Sequence, residues 1–122
     1  MRAIFRSAED CAALVRDGAT VAIAGSGGGL AEPDALLAAI EARFLATGHP
    51  RGLTVVHALG IGARGQRGMS RLAYEGMVTR VIGGHWTWSP KMQDMARDEL
   101  IEAYTLPAGA IMLLMREIGA RR

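Results

Sequence analysis

Two hydrophobic patterns alternate along the chain. Thr20-Val21-Ala22-Ile23-Ala24 and Leu53-Thr54-Val55-Val56-His57-Ala58-Leu59 are apolar without regular alternation, which predicts strands covered on both faces. Leu36, Leu37, Ile40, Phe44 and Leu45 instead form a stripe of 3.6-residue period, predicting a helix from Pro33, at its first helical position, to Gly48. A short leading helix is expected after Ser7, which with Asp10 resembles a capping box. Cys11, Leu14 and Val15 share one face of it, and Gly18 stops it. Further on, the pattern predicts a short helix from Ser70 to Glu75 and a third strand over Val78–Ile82. Ser89 as N-cap and Pro90 then open a helix with Met92, Met95 and Leu100 inward, before a fourth strand, Glu102–Leu106, and a last helix, Ala108–Ile118. Strands alternating with helices imply an α/β fold with an open, mainly parallel sheet and right-handed crossovers.

Between the first strand and the second helix lies Gly25-Ser26-Gly27-Gly28-Gly29-Leu30-Ala31-Glu32-Pro33, a strand-to-helix turn at the carboxyl edge of the sheet, where open α/β sheets bind ligands. Glycines permit positive φ and close backbone approach, so several amides can converge on one small acyl or anionic group. A turn that needs its glycines for geometry alone is the competing reading. His85 and Trp86 follow Gly83-Gly84 at the end of the third strand, with Trp88 beside them. That places an aromatic wall with an imidazole at the same edge, suited to a small organic acid or thioester; an ordinary aromatic cluster is the alternative. His57, in an apolar strand, reads as a hydrogen-bonded core histidine.

The last helix carries Ile111, Met112, Leu113, Leu114 and Met115 in succession, and apolar residues around the whole helix require cover on every side. A partner half or a second copy is expected to supply it; a terminal helix tucked under a neighbour in the same chain is the alternative.

Composition narrows the classes. A chain of 122 residues is expected to form one domain, residues 1–122. Fourteen of its residues are Lys or Arg against twelve Asp or Glu, interspersed rather than set among aromatics, which argues against nucleic acid. Cys11 is the single cysteine, excluding an intrachain disulfide and disfavouring a cysteine metal site. His49, His57 and His85 lack metal-ligand spacing. With no signal-peptide pattern and no apolar run near the ~20 residues that span a bilayer, a cytoplasmic protein without a membrane partner is expected. A dinucleotide fingerprint fails at Leu30, where the third glycine belongs, and the second strand ends without an acidic residue for a ribose. No Gly-Lys-Ser or Gly-Lys-Thr of a P-loop occurs. Arg64, Arg67 and Arg71 suit a phosphate or simply a solvated loop.

Several stretches together resemble the amino-terminal part of the family I coenzyme A transferases, the acetate, propionate and 3-oxoacid group. They are Asp17-Gly18-Ala19-Thr20-Val21, the glycine loop ending in Glu32-Pro33, and Phe44-Leu45-Ala46-Thr47-Gly48-His49-Pro50-Arg51. Glu75-Gly76, Arg80-Val81-Ile82-Gly83-Gly84-His85-Trp86, Ser89-Pro90-Lys91, Glu102-Ala103-Tyr104 and Leu106-Pro107 complete the set. The loop departs from the family pattern at Ala31 and Glu32, as does Gly62–Tyr74, which carries Ala63-Arg64 and Tyr74 where the family tends to have an Asp-Gly pair and a histidine.

The resemblance implies a NagB/RpiA/CoA-transferase-like fold and a ping-pong transfer of CoA from an acyl-CoA to a short-chain carboxylic acid. A glutamate forms an acyl anhydride and then a glutamyl-CoA thioester. That glutamate belongs to a carboxyl-terminal half or β-like subunit, so no catalytic residue is expected here and CoA enters as substrate rather than cofactor. Gly25, Ser26, Gly27, Gly28, Gly29, His85 and Trp86 are the expected substrate-binding residues, in a homo- or hetero-oligomer. A non-catalytic binding or assembly domain on the same fold, and an unrelated nucleotide-binding α/β domain, remain the alternatives.

Overall fold

In a computed structural model, which describes residues 2–122, helix α1 (Ala8–Ala12) starts where the capping box places it: Ser7 Oγ accepts from the Asp10 amide at 3.0 Å. Strand β1 (Thr20–Ala22) leads through the glycine loop to α2 (Asp34–Thr47), which Gly48 closes in the left-handed conformation at φ 77°. Strand β2 (Leu53–His57), a 3₁₀ turn (Gly68–Leu72), β3 (Val78–Gly83), α3 (Pro90–Arg97), β4 (Glu102–Thr105) and α4 (Ala108–Gly119) follow. All strands are parallel, in the order β1-β2-β3-β4.

The two faces of this sheet differ. Val21, Val55 and Val81 stand in register on one face, and with Ile23, Leu53 and Val78 they pack against Ala12 of α1, Leu37 and Ile40 of α2, Met69 and Leu72 of the 3₁₀ turn, and Met92 and Met95 of α3. Every crossover between these strands therefore lies on that one face. The opposite face, with Ala22, Val56, Ile82 and Tyr104 in register, carries only α4 among the described residues, and Ile111 of that helix is buried outside the main core. Buried side chains of this size stabilise by about 1.5–3 kcal/mol each, so stability is concentrated on the α1–α3 face.

Asp17 fixes the start of β1 relative to β2. Its carboxylate accepts from the Arg51 amide at 2.8 Å and from His49 Nδ1 at 2.9 Å, and the Gly18 amide donates to Arg51 O. The Arg51 amide, with His49 behind it, lowers the Asp17 pKa.

Several expected boundaries shift. β1 pairs only to Ala22, because beyond Ile23 the chain turns away into the glycine loop, and β2 stops at His57. Pro33 is the N-cap of α2 rather than its first helical residue. The helix expected at Ser70–Glu75 is a 3₁₀ turn beginning at Gly68. Leu14, Leu36 and Leu45 are exposed, so the α1 and α2 stripes are narrower than their apolar residues suggest. Leu100 is 48% exposed, because α3 ends at Arg97 and Glu99 turns at φ 56°, rotating Leu100 off the buried face.

Candidate functional site

The glycine loop is a run of left-handed residues at the carboxyl end of β1. Gly27, Gly28 and Gly29 have φ of 81°, 62° and 85°, a succession only glycine adopts without strain at each step. The turn is closed by Leu30 N donating to Gly27 O and Ser26 N to Leu30 O, both at 3.1 Å. Among the described residues, the Gly27 and Gly28 amides donate to no protein acceptor, whereas the Gly29 amide donates to Glu32 Oε1 at 3.3 Å.

Glu32 does more than hold its own turn. The same Oε1 accepts from the Gly62 amide at 2.7 Å, so one carboxylate clamps the glycine loop to the loop after β2. In the sequence Glu32 stands out only as a departure from the family pattern. The available signal was a carboxylate three residues after a glycine run, opposite a second glycine-rich loop.

The wall beside the loop is built differently from expectation. A Cβ on Gly27 would stand 3.0 Å from Gly60 O and 3.2 Å from Trp88 Nε1, and one on Gly60 would strike the His85 imidazole and the Trp88 ring. His85, Trp88, Gly60 and Gly27 therefore stack closely, with His85 exposed to solvent. Trp86 turns the other way: its Nε1–H donates to His57 Nε2 at 3.2 Å. His57 is fully buried, donates from Nδ1 to Leu59 O at 2.5 Å, and has its pKa lowered by burial. The expected core histidine is thus the support for Trp86, and Trp88 takes the place next to the glycine loop.

Behind the site, Asp34 at the start of α2 accepts from the Gly68 amide at 2.9 Å and from Arg71 Nε and Nη2 at 2.9 and 3.0 Å. Arg71 Nη1 donates to Glu41 at 2.9 Å, and Tyr74 Oη donates to the other Glu41 oxygen at 2.7 Å. The Arg71 hydrogen bonds hold the Asp34 carboxyl far below the ordinary range, and the Glu41 hydrogen bond raises the Tyr74 phenol. Of the three arginines considered for phosphate, Arg71 and Arg67 are engaged by Asp34, and Arg64 lies over the Trp88 ring at 5.1 Å. Glu117 pairs with Arg122.

An apolar groove of about 430 Å³ opens beside Gly25, between the carboxyl ends of β1 and β2 and the Met112 and Met115 side chains of α4. Among the described residues no group of three His, Cys, Asp or Glu side chains converges to hold a metal, and no helix is long and apolar enough to cross a membrane.

Residues 5–122 match the family model described as Coenzyme A transferase. The chain belongs to that family. It is 35% identical over 116 residues to the acetate CoA-transferase YdiF of Escherichia coli O157:H7, and 41% identical over 119 residues to the caffeate CoA-transferase of Acetobacterium woodii. These alignments take in 95% and 97% of this chain but only 22% of each relative, so the chain spans about a fifth of the length of the CoA-transferases it matches. The structure of the E. coli O157:H7 acyl-CoA transferase YdiF, solved as a thioester complex with CoA, superposes with a TM-score of 0.92 at 35% identity, over 96% of this chain and 23% of that one. The parallel α/β architecture is accordingly that of one portion of a CoA-transferase.

Proposed function

We propose that the chain is the amino-terminal portion, or an α-like subunit, of a cytoplasmic, oligomeric enzyme that transfers CoA between an acyl-CoA and a short-chain carboxylic acid. Residues 1–122 act as one domain of it. The observation that carries this reading is the pair of unclaimed amides at Gly27 and Gly28, on a loop held open by three consecutive left-handed glycines. A glutamate from outside this chain attacks the thioester carbonyl, and negative charge develops on the carbonyl oxygen. Fixed amide donors stabilise that charge most where they need no reorganisation. The CoA thiolate leaves as the acyl-glutamyl anhydride forms, then attacks the glutamyl carbonyl and releases the first carboxylate. The incoming acid reverses these steps. Gly25 through Gly29 form the floor of the acyl site, with His85 and Trp88 as its wall and Trp86, hydrogen-bonded to His57, behind it.

The test is a chimera in which this chain replaces the matching segment of E. coli YdiF. Propionyl-CoA formation from acetyl-CoA and propionate is expected from the chimera and not from the isolated chain. A folded, assembled chimera without turnover, or turnover by the isolated chain, contradicts the proposal.

A further inference from the structure

We infer that Arg64 is a specificity-determining residue for the transferred acid, and that it selects a short dicarboxylic acid by pairing with the carboxylate that does not react. The inference rests on the glycine loop being the floor of the acyl site, and its geometry comes from the loop after β2.

That loop is tied to the glycine loop at successive residues. The Gly62 amide donates to Glu32 Oε1 at 2.7 Å. A Cβ on Gly29 would stand 3.6 Å from Ala63 Cβ, an ordinary van der Waals contact. The Arg64 amide then donates to Trp88 O at 2.9 Å, and the Arg64 guanidinium lies over the Trp88 ring, 5.1 Å from its centroid. Trp88 Nε1 is 3.2 Å from the Cβ position of Gly27. The indole thus meets the glycine loop at its Nε1 edge and carries the cation on its ring.

Two observations set Arg64 apart from a solvated loop residue. Its φ is 63°, a left-handed conformation that favours glycine. Another residue persists there only where its surroundings over-determine the backbone, a condition met most often at binding and catalytic sites. The second observation is its missing partner. Arg67 and Arg71 are engaged by Asp34, and Arg71 also by Glu41. Among the described residues no Asp or Glu pairs with Arg64, which is exposed. A guanidinium stacked on an aromatic ring keeps its N–H edge for a planar, bidentate anion.

A carboxylate of the acid itself fits this position. With the reacting carboxyl group on the Gly27 and Gly28 amides, a second carboxylate of the same short acid reaches outward along the Trp88 wall to the guanidinium. CoA offers anions only in its phosphates, and the whole pantetheine arm separates those from the thioester. A monocarboxylic acid leaves the cation unpaired and gains nothing from it.

The test is acid preference in the YdiF chimera. The kcat/KM for CoA transfer from acetyl-CoA is measured with succinate and with butyrate, which has the same chain length and lacks the second carboxylate. Glycine suits the left-handed backbone at this position, so Arg64→Gly leaves the loop its conformation. That variant is expected to lower the ratio of succinate to butyrate kcat/KM by about 10- to 100-fold. Arg64→Lys, a charge without the planar fork, should recover only part of the ratio. An unchanged ratio overturns the inference, because a residue that merely supports Trp88 affects both acids alike. A raised KM for acetyl-CoA with both acids also overturns it, assigning Arg64 to the CoA phosphates. Both results leave the proposed function standing. If an assembled chimera transfers CoA to neither acid, the proposed function fails, and titration calorimetry with succinate decides the role of Arg64. Weaker succinate binding in Arg64→Gly then supports the inference, whereas equal binding or none overturns it.

Discussion

Trp86 and His57 share one hydrogen bond, Nε1–H to Nε2 at 3.2 Å, while the other imidazole nitrogen is committed to Leu59 O. Both nitrogens are thereby assigned: Nδ1 carries the proton and Nε2 accepts. A second proton on His57 would abolish the bond to Trp86 and put a charge in a fully buried position.

Burial lowers the His57 pKa below its unfolded value, so the unfolded chain binds the extra proton more readily. The stability that neutral His57 contributes is complete above about pH 6.5 and is lost as pH falls towards its folded value. Imidazole nitrogen resonances at pH 7 are expected to show the Nδ1–H neutral tautomer. An imidazolium signal at that pH would contradict the assignment.

Arg71 is the hub between Asp34 and Glu41 and is only partly exposed. Arg71→Met should cost about 2–3 kcal/mol, because hydrogen bonds to charged groups are lost and two carboxylates are left facing each other. Asp34 is held below its ordinary value by Arg71, so its contribution is present above about pH 4 and is lost as pH falls through its lowered folded value. Urea unfolding across pH 3 to 7 checks both points: the variant should be less stable at neutral pH and lose less on acidification. Parallel curves for the two proteins would refute the linkage.

Glu32→Ala should separate the two glycine loops, leaving the Gly29 and Gly62 amides without their common acceptor. The expected cost is about 1–3 kcal/mol, and Glu32→Gln, which keeps an acceptor oxygen, should recover part of it. Equal stability of all three proteins by chemical denaturation would show that the clamp contributes nothing.

Local features were the ones legible in the chain. Ser7 caps α1, Gly48 closes α2, and the apolar runs at Thr20, Leu53 and Val78 became parallel strands, because each depends on residues a few positions apart. The unpartnered apolar surface of α4 was legible for the same reason. What the chain hid depends on contacts between distant loops. Glu32 earned its place only once Gly62 lay beside it, and Trp86 and Trp88, two residues apart, diverge because one turn sends the first under the sheet end and the second towards Gly27. Leu100 was misplaced by a single left-handed residue, Glu99, that no hydrophobic pattern records.

The central claim is that the Gly27 and Gly28 amides stabilise charge in the transition state. Gly28 holds φ 62° with open space around the position of a Cβ. A Cβ there meets no neighbouring atom within 4 Å, but the left-handed conformation costs a β-branched residue about 1–2 kcal/mol, which is expected to turn the loop amides away while leaving the fold intact. The decisive measurement is kcat for CoA transfer from acetyl-CoA to propionate by the YdiF chimera carrying Gly28→Val, alongside its circular dichroism and assembly state. A loss of about 10²- to 10³-fold with fold and assembly unchanged is the predicted result; near-normal kcat would show that the glycines serve only to turn the chain.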